Sequence, residues 1–268
     1  MSGILGIIGA LAVVVLGSLA DGDPISALFS LTAAIIVLGG TFTALFTQFG
    51  VDGLMSGLGR CVWLVKPPEV DLPAFIEQVS GWSNLARAQG VLALEDALNS
   101  VTDPFQRQGL QMVVDNTRPD DLEATMTIVA DKAAREDQIA GDLWEAAGGY
   151  SPTIGVMGAV LGLIHVMMRL DHPEELGEGI ATAFVATIYG VGAANLIFLP
   201  LGTRFASLAA QLERERHVII QGFMLLAEGK PGIVIRQTLQ NFLAAKTAKS
   251  AKAAASDEPA DEPAAELG

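Results

Sequence analysis

The sequence predicts an all-α membrane protein. It reads as four transmembrane helices, a cytoplasmic helical lobe between spans two and three, and a cytoplasmic C-terminal helix. Three observations carry this. The 268 residues are 51% hydrophobic and only 17% charged, too apolar for an ordinary soluble domain. The apolar residues gather into four stretches, each near the roughly 20 residues needed to cross a bilayer. The Lys and Arg residues lie almost entirely on one side of those stretches.

The first stretch, Ile4 to Ala20, is short and ends in a signal-peptide-like "SLA". It lacks the basic leader that a cleaved signal needs, so it is expected to stay as a span. The second runs from about Ile25 to Phe49, the third from about Pro152 to Met168, and the fourth from about Ile180 to Leu201. The turns Asp21–Pro24 and Arg169–Glu178 hold one basic residue, Arg169, against Asp21, Asp23, Asp171, Glu174, Glu175 and Glu178. Arg60 and Lys66 follow span two, and Arg204, Arg214 and Arg216 follow span four. Positive charge stays inside, so both termini and the middle segment are expected in the cytoplasm. The domain reading is therefore residues 1–50 for spans one and two, 51–151 for a cytoplasmic helical domain, and 152–203 for spans three and four. Residues 204–245 form a cytoplasmic helix, and 246–268 a disordered tail rich in Ala, Pro, Asp and Glu.

The middle segment, 50–151, carries 7 basic and 16 acidic residues and is solvated. Phe75, Ile76, Val79, Trp82 and Leu85 mark an apolar stripe at helical spacing. Pro104 starts a second helix, with Thr102 or Asp103 as cap. Pro119 with Asp120 and Asp121 starts a third. That one runs nearly unbroken to Gly148 and leads straight into span three. After span four the segment from Thr203 to Lys230 reads as a further helix with a mixed charged face. The net charge of −14 argues against nucleic acid as a partner. Cys61, the one cysteine, supports neither a disulfide framework nor a metal cluster, and reads as a small buried apolar residue.

The spans are rich in small residues. Gly155, Gly158 and Gly162 line one face of span three; Ala186, Gly190 and Ala194 line one face of span four; Gly6 and Ala10 sit on span one. In lipid, helices gain no hydrophobic energy on contact, and small residues let backbones approach until dispersion and weak polar contacts hold them. These faces serve packing within the bundle, or a shared channel occupied by another protein's helix. The interiors of all four spans contain no Asp, Glu, Lys or Arg. Intramembrane ionisable groups mark ion paths, so a carboxylate for ion transfer must come from a partner. His165 lies toward the outer end of span three and reads as a hydrogen-bonded interface residue. Thr153, Thr182 and Thr187 offer hydroxyls, each of which can instead bond its own helix carbonyl.

The run "PTIGVMGAVLGLIHVMMRLDHPEELGEGIATAFVATIYGVGAANLIFLPLG" resembles spans three and four of the MotA/PomA flagellar stator subunits, within the MotA/TolQ/ExbB superfamily. The cytoplasmic "ARAQGVLALEDAL" resembles the charged segment of the same family, and the likeness covers all but about the last 20 residues. The resemblance implies a homopentamer around a MotB/PomB-type partner, which supplies the ion-binding aspartate, and torque on the rotor protein FliG. It implies that Pro152 and Pro200 serve conformational coupling, that Arg87 and Glu95, with Asp96, meet FliG, and that Thr187 borders the ion pathway, for which Thr153 is a candidate on its hydroxyl alone. Sodium-type members carry a threonine where this chain has Ala159. That departure favours H+ over Na+ as the transported ion, and no cofactor, catalytic residue or metal site is implied. Two rivals are a TolQ/ExbB-like energiser of envelope transport, which has three spans, and a non-conducting membrane scaffold.

Overall fold

The computed structural model describes residues 2–20, 28–171 and 173–242. Every regular element among them is helical. Helix α1 is Ser2–Ala20. Helix α2, Leu31–Ala34, passes through a π-helical turn, Ile35–Gly39, into α3, Gly40–Gly59, and a 3₁₀ turn, Arg60–Leu64. Helices α4 (Leu72–Gln89), α5 (Glu95–Leu98) and α6 (Pro104–Val114) follow. Helix α7, Pro119–Met167, is 49 residues long. Helix α8, Pro173–Ala193, continues through a second π-helical turn, Ala194–Phe198, into α9, Leu199–Ala227. Residues 232–242 form α10. The expected outer turn at Asp21–Pro24 and the tail 246–268 lie outside the described residues.

Three helical runs are long and apolar enough to cross a bilayer: Leu31–Leu64, Pro119–Met167 and Gly179–Ala227. The shorter α1 is apolar throughout. Two boundaries differ from the sequence reading. The second run begins at Leu31 rather than near Ile25 and continues past Phe49 to Leu64. It breaks at Gly50, whose φ of 66° a residue with a side chain rarely adopts. The segment after span four is not a separate helix: α8, the π turn and α9 form one continuous run.

The two membrane-region prolines explain local geometry. A proline inside a helix removes one N–H and clashes with the carbonyl four residues earlier. For Pro152 that residue is Gly148, with Gly149 beside it, and α7 stays continuous. For Pro200 it is Leu196, inside the π turn, where the wider winding makes room for the ring.

The chain packs as two units: Met1–Glu69 with Lys132–Glu213, and Val70–Asp131 with Arg214–Gly268. The second unit has its own core. Phe75, Val79 and Trp82 of α4 meet Leu110 of α6, Leu122 and Met126 of α7, Phe223 of α9 and Ile235 of α10. Phe223 is its centre, edge-on to Phe75 at 5.4 Å between ring centroids and stacked with Trp82 at 6.2 Å. Asp103 caps α6 by accepting from the Gln106 amide at 2.8 Å, and Asp71 caps α4 through the Ala74 amide at 2.9 Å. The first unit has a core of Leu45, Leu143, Trp144, Ala147, Phe198, Leu201 and Phe205.

Candidate functional site

Within the first unit, α7 and α8 run antiparallel along a seam of small residues. A Cβ placed on Gly190 would stand 2.7 Å from the Ser151 carbonyl oxygen and 2.8 Å from Gly155 Cα. A Cβ on Gly155 would stand 2.9 Å from Gly190 Cα, and one on Gly158 would stand 3.0 Å from Ala186 Cβ. Gly162 meets Ala183 in the same way. Ser151, fully buried, donates through its hydroxyl to the Gly190 carbonyl at 3.0 Å. The seam therefore combines close backbone approach with an interhelical hydrogen bond, the two means by which helices associate in lipid. Along this seam the chain's own fourth span packs against Gly155, Gly158 and Gly162, and Gly158 and Gly162 also border a cavity with Ile36, His165 and Thr182. Ala186 and Ala194 are fully buried as well.

The second span joins this pair. A Cβ on Gly40 would stand 2.9 Å from Ile154 Cγ2, and Ile36 lies against Gly158. Tyr189 closes the contact by donating to the Leu28 carbonyl at 2.7 Å. Thr41, buried, bonds back to the Val37 carbonyl at 2.7 Å inside the π turn.

Each predicted ion-path residue has a definite place. Ala159 and Thr187 each follow a member of the packed pair Gly158 and Ala186 by one residue, which on antiparallel helices leaves them about 3 Å apart in depth. Both are partly exposed. The Thr187 hydroxyl donates to the Ala183 carbonyl at 3.3 Å, which leaves its oxygen lone pairs available to accept. Thr153, exposed, donates to the Tyr150 carbonyl at 2.8 Å. Next to this level, α7 and α8 present Val156, Met157, Val160, Phe184, Ile188 and Val191 as exposed apolar side chains. No cluster able to hold a metal ion occurs among the described residues.

In the second unit Arg87, Glu95 and Asp96 are all exposed. They do not share one helix. Helix α4 ends at Gly90, which takes φ 91°, and a 3₁₀ turn, Val91–Leu94, separates Arg87 from Glu95 and Asp96. The Arg87 guanidinium also donates to the Gly229 carbonyl at 3.4 Å.

Sequence reasoning used Arg60 only as an orientation marker. In the structure it forms an ion pair with Asp137 at 3.1 Å, side chains 19% and 10% exposed, and its guanidinium lies 5.4 Å from the Trp63 ring centroid. The partners are 77 positions apart, and no local pattern joins them. Breaking such a low-exposure pair from one side strands a charge.

Fold and site together define a multi-pass helical membrane subunit whose spans offer close-packed glycines and hydroxyls but no carboxylate. Residues 97–218 match the profile of the MotA/TolQ/ExbB proton channel family. Motility protein A of Bacillus subtilis is 32% identical over 91% of this chain and 90% of its own length. Chemotaxis protein PomA of Vibrio alginolyticus is 27% identical over 90% and 94%. Among solved structures, C. jejuni MotAB superposes with a TM-score of 0.83 at 27% identity, covering 90% of this chain and 94% of that one. The flagellar MotAB stator complex from Bacillus subtilis gives a TM-score of 0.80 at 31% identity, covering 88% and 94%. The chain belongs to the MotA/TolQ/ExbB proton channel family, on its motility protein A branch.

A matched pair of substitutions tests the seam. Gly190→Ala forces a methyl onto backbone atoms that have no rotamer to yield, at a cost of about 1–3 kcal/mol. Gly192 has nothing within 4 Å of its would-be Cβ. The apparent melting temperature of the detergent-solubilised protein should fall clearly for Gly190→Ala and stay near wild type for Gly192→Ala.

Proposed function

We propose that the chain is the A-type subunit of a flagellar stator, and that with a B-type partner it couples ion influx to torque on the rotor protein FliG. The observation that carries this reading is the pairing of a tightly built, small-residue span bundle with the absence of any intramembrane carboxylate. Such a bundle can frame a proton path but cannot bind the proton. The partner's aspartate completes it, as the MotAB composition of the matched structures suggests. The arrangement is five copies of this chain around two partner helices in the bacterial inner membrane. All four apolar helices span it, with both termini and residues 51–151 in the cytoplasm, as the charge asymmetry favours.

The exposed apolar faces of α7 and α8 flank the Ala159 and Thr187 level, and suit contact with the partner helix and neighbouring copies. Thr187 accepts a hydrogen bond from water or from the protonated partner carboxyl. Ala159 supplies no oxygen, so each copy offers one side-chain ligand at this level. Hard cations want several oxygens, and the transported ion is therefore H+ rather than Na+. Pro152 and Pro200 are points where the long helices change shape as the partner's aspartate gains and loses its proton. Arg87, Glu95 and Asp96 stand on the cytoplasmic side as the rotor contact. Charges at a protein interface chiefly steer encounter and fix register.

Two experiments follow. In liposomes with a pH gradient, the chain alone should give no proton flux above that of empty vesicles. The complex with its partner should conduct, with a rate independent of sodium. Conduction by the chain alone contradicts the reading. For the rotor contact, Arg87→Glu should reduce swimming while flux and complex assembly persist, and a compensating charge reversal on FliG should restore part of it. Loss of assembly in Arg87→Glu would assign the residue to holding the Gly229 turn instead.

A further inference from the structure

Within the first unit, a cavity of about 350 Å³ lies between α1, the Arg60–Leu64 turn and the π turn before Pro200. Gly6, Ile7 and Ala10 form one wall, Leu196 and Pro200 another, and Arg204 supplies the cation. The seam between α7 and α8 does not use this space. Nothing lies within 4 Å of the position a Cβ on Gly6 would take, so the small residues of α1 leave room there instead of admitting another helix of the same chain. We infer that this groove binds an anionic phospholipid of the cytoplasmic leaflet, with an acyl chain against Ala10, Leu196 and Pro200 and the headgroup phosphate on Arg204.

Two arguments select that occupant. The wall is mostly apolar, and the Asn195 amide is already engaged with the Val191 carbonyl at 2.9 Å. A buried water needs two to four polar partners, which such a wall does not offer. The groove also carries a cation at its rim. Arg204 is exposed, and no ion pair engages it among the described residues. A second copy of the chain could also cover the apolar wall, and the cross-link below distinguishes it. A phospholipid supplies both parts, and basic pockets between spans on the cytoplasmic side are the usual seats of anionic headgroups. This assignment rests on the membrane orientation proposed above.

The test reads lipid, not motility or ion flux, so it can fail while the stator reading stands, and the reverse. The complex of this chain with its B-type partner is reconstituted in nanodiscs of mixed phosphatidylglycerol and phosphatidylcholine. It is then extracted in mild detergent, and the retained phospholipid is measured by mass spectrometry. Wild type should retain phosphatidylglycerol above its share in the disc. Arg204→Gln should lower that enrichment about five-fold, the equivalent of ~1 kcal/mol for one cation at an anionic surface, and Arg204→Lys should keep most of it. Ala10→Phe, which fills the groove, should lose retained lipid of both headgroups. Equal enrichment in wild type and Arg204→Gln overturns the proposal. So does cross-linking of Ala10→Cys on one copy to Leu196→Cys on another, which would show a second copy in the groove. If Ala10→Phe fails to assemble, the Arg204 pair decides alone.

Discussion

The near-contact of Gly155 with Gly190 is the constraint on which the first unit depends. Where two backbones approach this closely, no residue larger than glycine fits on either side, and the register of α7 against α8 is set. Gly158 on Ala186 and Gly162 on Ala183 follow from that register, each one turn further along. Ser151 reaches the Gly190 carbonyl because the backbones are already close. With no hydrophobic force between helices in lipid, this geometry carries the cohesion that apolar burial supplies in a soluble core. The second unit shows the contrast, with Phe75, Trp82 and Phe223 packed as in any water-soluble helical domain.

The same register places the chemistry. Because Gly158 and Ala186 are packed, Ala159 and Thr187 fall within about 3 Å of one level, with their side chains partly uncovered. The helices that carry this level change winding close by, at the Ala194–Phe198 π turn and Pro200. A π turn is a local excess of one residue, and its removal would shift every residue beyond it around the helix axis. That is a physical route by which protonation at one level could be felt further along α9.

Much of this was legible in the sequence, for identifiable reasons. The three long apolar runs, a cap at Thr102 or Asp103 and the helix start at Pro119 follow from strictly local rules, and local rules read well. The run "PTIGVMGAVLGL" signalled a close contact through its glycine spacing, but not what it contacts; spacing on one helix does not choose between a span of the same chain and a partner. The Arg60–Asp137 pair and the Tyr189 bond to the Leu28 carbonyl join distant positions and leave no local trace. The two π turns were missed because winding depends on what packs around a helix. Pro200 gave a hint that became readable only when Leu196 was seen to fall inside the turn. The break at Gly90, which divides Arg87 from Glu95, was hidden by residues that suit a helix on either side.

The central claim is that the chain frames an ion path whose only intramembrane carboxylate belongs to the partner. A hydrophobic carbodiimide, which reacts with protonated carboxyl groups in apolar surroundings, tests this directly. The conducting complex is treated until flux is blocked, and the adducts are mapped by peptide mass spectrometry on both chains. The account predicts that the adduct whose extent tracks the loss of flux lies on an aspartate of the B-type partner. An inhibitory adduct on a carboxylate of this chain would contradict it.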